Sequence, residues 1–118
     1  MTTNEIAVRL HELLVLGDSE TIYRELFSQN AVAIEPKFEG FERVEGLDNI
    51  KKKVQVLVDS IQEVKKRTIS PAIVQGANHI AIGIELEALL KNGNTMSLNE
   101  VALYEVKDGA IISEQFFY

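Results

Sequence analysis

Two glutamates on the arms of one hairpin are the first residues whose spacing suggests chemistry. Glu100 and Glu114 flank a turn at Lys107-Asp108-Gly109. That tripeptide suits a type I turn followed by Gly109 in the left-handed region, which makes a three-residue loop. Val106 then lies opposite Ala110, Tyr104 opposite Ile112, Ala102 opposite Glu114, Glu100 opposite Phe116 and Leu98 opposite Tyr118. All of these share one sheet face, on which Glu100 and Glu114 are diagonal neighbours beside Tyr104, Phe116 and Tyr118. The opposite face carries Val101, Leu103, Ile111 and Phe117. A two-residue loop at Asp108-Gly109 would instead set Val106 opposite Ile111 and mix the two sets.

Carboxylates gathered in a partly apolar pocket have raised pKa values, through desolvation and mutual repulsion. One of them can stay protonated and serve as an acid or hydrogen-bond donor. The matching ligand is a small, mostly apolar molecule with a carbonyl or hydroxyl group. Plainer readings stand beside this one. A strand glutamate is often a rim or surface residue, or binds a fixed water or a backbone amine. Tyr104, Phe116 and Tyr118 also serve simply as packing.

The rest of the chain must position this hairpin. Ile6, Leu10, Leu13 and Leu14 recur on one side of a first helix over residues 4 to 16, which Gly17 ends. Asp18 or Ser19 caps a second helix over roughly 20 to 28, with Ile22, Tyr23, Leu26 and Phe27 buried. A strand over about 30 to 35 turns Ala31, Ala33 and Glu35 one way and Val32 and Ile34 the other, and Pro36 ends it. Residues 37 to 46 read as a connection. A third helix over about 47 to 61 buries Ile50, Val54, Leu57, Val58 and Ile61. From Glu63 the period becomes two, with strands near 63 to 71, 78 to 90, 95 to 106 and 110 to 118. Short links favour antiparallel pairing, and the order gives an α+β fold in which a curved sheet wraps the helices.

Composition narrows the functional classes. The 118 residues fit one domain, residues 1 to 118, and 46% are apolar, so a folded core is expected. A net charge of −6 disfavours phosphate backbones, so no nucleic-acid partner is expected. The run Lys51-Lys52-Lys53 reads as a solvated helix face. No apolar run approaches the ~20 residues of a membrane span, and no signal-peptide pattern opens the sequence. The lack of cysteine excludes disulfides and thiol chemistry and fits a cytoplasmic protein. His11 and His79 have no partners at metal-ligand spacing, so no metal is expected, nor any cofactor. His79 reads as a turn or surface residue.

The order of elements resembles the SnoaL-like group of the nuclear transport factor 2-like superfamily, relatives of ketosteroid isomerase. The resemblance runs through Leu16-Gly17-Asp18, Asn30 to Pro36 and Val44 to Ile50, and is clearest from Val101 to Tyr118. It implies a cystatin-like cone: three N-terminal helices packed in the concavity of a strongly curved, mixed, mainly antiparallel sheet. It also implies a pocket at the open end and frequent homodimers. Family members include isomerases, cyclases, dehydratases, hydrolases and non-catalytic binders, so fold alone assigns no reaction.

By comparison with the isomerase, Glu35 before Pro36 takes the place of the aspartate base. Leu10 stands at the oxyanion-holding tyrosine, and Ala102 at the protonated aspartic acid. The base position is kept and both oxyanion donors are lost, which argues against steroid isomerisation. Glu35 as base, Glu100 and Glu114 as acid or donor, and Leu10, Ala102, Tyr104, Phe116 and Tyr118 as ligand contacts make up the candidate site. Two functional classes follow: a pocket protein that binds or converts a small organic ligand, and a homodimeric structural or accessory domain filled by its own side chains. Apolar residues on both hairpin faces place the homodimer contact on the outer sheet face.

Overall fold

The computed structural model describes residues 1–118. Helix α1 (Thr3–Leu16) begins at a capping box. The Thr2 hydroxyl accepts from the Glu5 N–H, and the Glu5 carboxylate accepts from the Thr2 N–H at 2.9 Å. It ends at Gly17, whose φ of 74° only glycine adopts without strain. Asp18 caps α2 (Ser19–Leu26), which runs straight into strand β1 (Phe27–Ile34). Phe27 is therefore the first strand residue rather than a helical one, and it remains buried. Its ring meets Tyr23 and Tyr104 edge to face, with centroids 5.1 and 6.5 Å away.

The connection expected over 37 to 46 contains a short strand, β2 (Arg43–Glu45), antiparallel to β1. Then follow α3 (Leu47–Ser60), β3 (Ile61–Ile69), β4 (Ile73–Gln75), β5 (His79–Leu90), β6 (Thr95–Lys107) and β7 (Ala110–Phe117). Strand order is β2-β1-β7-β6-β5-β3, with β4 also pairing β5. Only β1 and β7 run parallel. The three helices and the mixed, mostly antiparallel sheet match the expected class.

The expected cone does not form. The sheet is open and neither curls strongly nor closes around the helices, since β2 and β3 end it without pairing to each other. Closure would require those edges to meet. The first is three residues long, and the second exposes Glu63, Lys65, Lys66 and Arg67, charges that resist further pairing. The helices lie on one face of this sheet, and the core fills the space between, around Ile6, Leu10, Leu13, Leu26, Ile50, Ile80, Ile82 and Ile111.

The final hairpin corrects the expected register. Asp108 and Gly109 both take positive φ, 52° and 75°, the signature of a two-residue loop. Lys107 faces Ala110 and Val106 faces Ile111. A bulge then makes Ile112 the extra residue, and Tyr104 faces Glu114 while Ala102 faces Phe116. Ile111 thus belongs to the buried face, not the outer one. Glu100 and Glu114 are not diagonal neighbours, because the Ala102–Phe116 pair lies between them.

Candidate functional site

Parallel pairing of β1 with β7 sets Ala33 beside Glu114 and Ile34 beside Gln115. The next residue, Glu35, leaves the strand at Pro36 and enters a turn. Its N–H donates to the Glu42 carbonyl, and its own carbonyl accepts from the Phe38 N–H, at 2.9 and 3.0 Å. Glu35 and Phe38, joined by this turn, line the same space. From the sheet, β6 contributes Leu98, Glu100 and Tyr104, and β7 contributes Glu114 and Phe116. From the helices come Leu14, Tyr23, Lys53, Val54 and Leu57.

These side chains enclose a chamber of about 200 Å³ between the helix layer and the sheet. A second, outer chamber of about 400 Å³ shares Glu35, Phe38, Leu57 and Leu98 with it and continues past Lys37, Val56, Met96 and Tyr118. The two chambers adjoin at these shared residues.

Glu35, Glu100 and Glu114 are all buried at the inner chamber, with Lys53 as the one cation among them. Lys53 Nζ donates to Glu35 Oε2 at 2.9 Å and lies 4.8 Å from the centroid of the Phe116 ring. Glu100 Oε2 is buried with no hydrogen-bond partner in the protein. Burial pushes the Glu100 carboxyl up to about 7, helped by repulsion from Glu35 and opposed by Lys53. Burial likewise pushes Glu114 up to about 7, opposed by Lys53 and aided by Glu35. Burial first, then the charge of Glu114, raises both Tyr104 and Tyr23, so their phenols remain protonated donors. Near neutral pH the chamber thus combines an ion pair, two carboxyls poised to exchange protons, and phenol donors in an apolar wall.

The residues singled out from sequence divide by position. Glu35, Glu100, Glu114, Tyr104 and Phe116 converge on the inner chamber. Tyr118 lines the outer one, where the Lys37 ammonium sits 5.3 Å from its ring centroid. Leu10 and Ala102 are fully buried in the core and line neither chamber. His79 is exposed, and His11 lies in a separate surface groove with Asn4, Glu12 and Pro71.

Lys53 is the residue that sequence reasoning missed. Read with its neighbours as a solvated face, it is instead 3% exposed. Its spacing carried the signal: three residues after Ile50 and four before Leu57, it falls on the apolar stripe of α3. Val58, expected in that stripe, is half exposed.

Comparison with known proteins agrees with this architecture. The profile of the SnoaL-like domain matches residues 1–118. A Mesorhizobium loti protein provisionally designated a SnoaL-like polyketide cyclase has 27% identity and a TM-score of 0.91, with 100% of each chain covered. Bal32a, from a soil-derived mobile gene cassette, has 17% identity and a TM-score of 0.80 over 98% of this chain and 87% of its own. An NTF2-like protein of unknown function from Burkholderia pseudomallei has 17% identity and a TM-score of 0.76 over 100% and 92%. These last two share the fold alone. No curated protein matches the chain. With the profile spanning its whole length, the chain belongs to the SnoaL-like domain family.

Proposed function

We propose that this protein binds a small, mostly apolar molecule bearing a carbonyl or hydroxyl group in the two-chambered cavity and exchanges protons with it. Glu35 acts as base, and Glu100 and Glu114 act as acid or donor. The observation that carries the reading is Glu100, which lines a chamber of about 200 Å³ and whose Oε2 is buried without a hydrogen-bond partner in the protein. Buried polar atoms are nearly always paired, and an unpaired one on a cavity-lining residue is suited to a ligand's polar group that reaches it. Tyr104 and Phe116 supply apolar contact beside it, and Tyr118 does so in the outer chamber. A polyketide, the substrate class in the designation of the Mesorhizobium protein, is a ligand of this chemistry. The alternative, an accessory domain filled by its own side chains, is disfavoured by the same chamber.

The protein acts as a homodimer joined through the outer sheet face, in the cytoplasm. The lack of cysteine fits that compartment, and no helix is long and apolar enough to cross a membrane.

The test is a thermal-shift screen of small aromatic ketones and phenols against the parent and Leu98→Trp. Leu98 lines both chambers, so an indole there fills space in each without touching the carboxylates' charge. Compounds that raise the melting temperature of the parent and not of the variant support the reading. Compounds that stabilise both equally bind elsewhere and sink it.

A further inference from the structure

Lys53 offers more hydrogen-bonding capacity than the protein uses. Its ammonium has three N–H donors, and only Glu35 Oε2 accepts from it. The Phe116 ring gives it a cation–π contact at 4.8 Å. The side chain is 3% exposed, so water does not freely supply the missing acceptors. Burying a charge for one strong hydrogen bond is costly, and an apolar residue on this stripe of α3 would pack without that cost. Lys53 and Glu100, whose Oε2 has no partner in the protein, line the same chamber. One chamber thus carries an under-used donor and an unpartnered acceptor, the pattern a ligand with both a carbonyl and a hydroxyl would satisfy.

We propose that Lys53 is a catalytic residue: its free N–H donors receive the ligand's carbonyl oxygen and hold the negative charge that develops there when Glu35 removes a neighbouring proton. This rests on the functional reading above and narrows the ligand class to ketones with an acidic adjacent C–H. The step balances. The C–H bond breaks and its proton goes to Glu35 Oε1, which accepts no hydrogen bond within the protein. The C–H electron pair becomes the new C=C bond, and the carbonyl π pair moves onto oxygen. Negative charge passes from Glu35 to the ligand oxygen, so Lys53 has a counter-charge throughout and no buried charge is created. Around this pair, Tyr23 comes from α2, Glu100 and Tyr104 from β6, and Glu114 from β7. A protonated Glu100 or Glu114 avoids repelling the enolate.

The experiment uses 1-phenylbutane-1,3-dione, a diketone whose enol and enolate absorb at different wavelengths, titrated at pH 7 into three proteins. The parent and Glu35→Gln are expected to bind it with the enolate spectrum, since both keep the ammonium. Glu35→Gln/Lys53→Met is expected to bind at least about tenfold more weakly and with the neutral enol spectrum, the loss of one charge-assisted hydrogen bond. The double variant contains neither charge of the pair, so no unpaired buried ion remains to unfold it, and its melting curve verifies this. Equal affinity and identical spectra for Glu35→Gln and the double variant would overturn the role of Lys53 while leaving the pocket reading intact. Failure of the parent to bind the diketone or any compound of the ketone screen would overturn both.

Discussion

Lys53 Nζ lies 2.9 Å from Glu35 Oε2, and their side chains are only 3% and 10% exposed. The pair ties the middle of α3 to the residue that follows β1, and both side chains line the inner chamber. Breaking a buried pair by removing one partner costs more than removing both, because the survivor is left charged in an apolar setting. Lys53→Met is expected to lose about 3–5 kcal/mol of stability, and Glu35→Gln/Lys53→Met clearly less. Urea unfolding at pH 7 measures both. Equal losses would mean that packing of the lysine stem, not charge, sets the cost.

Glu114 makes stability depend on pH in the unusual direction. Its carboxyl is pushed from 4.5 up to about 7 by burial, so between those values the folded chain holds a proton that the unfolded chain releases. The stabilisation is complete below the unfolded value and is lost as pH rises through about 7. Over this window the loss is on the order of 3 kcal/mol. Glu114→Gln cannot ionise, so relative to the parent it should gain stability between pH 5 and pH 8. Comparing the two proteins by urea unfolding cancels the titrating groups that do not interact with Glu114, and Glu100, which Glu114 pushes up, adds in part to the difference. A difference that stays constant with pH would refute the assigned burial effect.

Gly109 is fixed by the hairpin rather than by the core. Its φ is 75°, and a Cβ there would lie 3.3 Å from Met1 N and 3.4 Å from Met1 O. Gly109→Ala should therefore cost about 1 kcal/mol or more, from left-handed strain with crowding of the N-terminal residue added. Asp108→Asn should be neutral or slightly stabilising, since asparagine tolerates positive φ well. Thermal unfolding of the two variants separates these outcomes.

This hairpin also shows how far sequence carries. Asp108-Gly109 is compatible with two loop lengths, and the choice depends on whether a neighbouring residue can be accommodated as a bulge. The bulge at Ile112 is set by β7 pairing to both β6 and β1, a tertiary constraint that no local pattern displays. It restores the alternation disturbed by the turn. Tyr104, Glu114 and Phe116 therefore reach the expected face although every expected partner shifts. Helices were legible because Ile6, Leu10, Leu13 and Ile50 repeat at helical spacing. The open sheet was not, because curvature depends on how edges such as β2 and β3 are finished. The carboxylates were found since strand alternation alone sets their face. Lys53 is hidden in the sequence because a lysine inside a basic run looks solvated whatever its helical position, and only the buried Glu35 explains why a lysine occupies that stripe.

The outer face of the sheet is where a second copy should bind. Val101 and Phe117 face each other across β6 and β7 and are 45% and 49% exposed, with half-buried Leu103 and Ala81 one pair further along. The helices cover only the opposite face, so this patch has no cover within one chain. An aspartate placed there would have to be desolvated in a dimer and stays hydrated in a monomer. Multi-angle light scattering at micromolar concentration should give twice the chain mass for the parent and the chain mass for Phe117→Asp. Because Phe117 is so exposed within one chain, the variant's isolated fold should be nearly as stable as that of the parent chain, and far-ultraviolet circular dichroism should be unchanged. A parent protein that runs at the mass of one chain would remove the proposed dimer. A Phe117→Asp protein that still runs at twice that mass would move the contact to another surface.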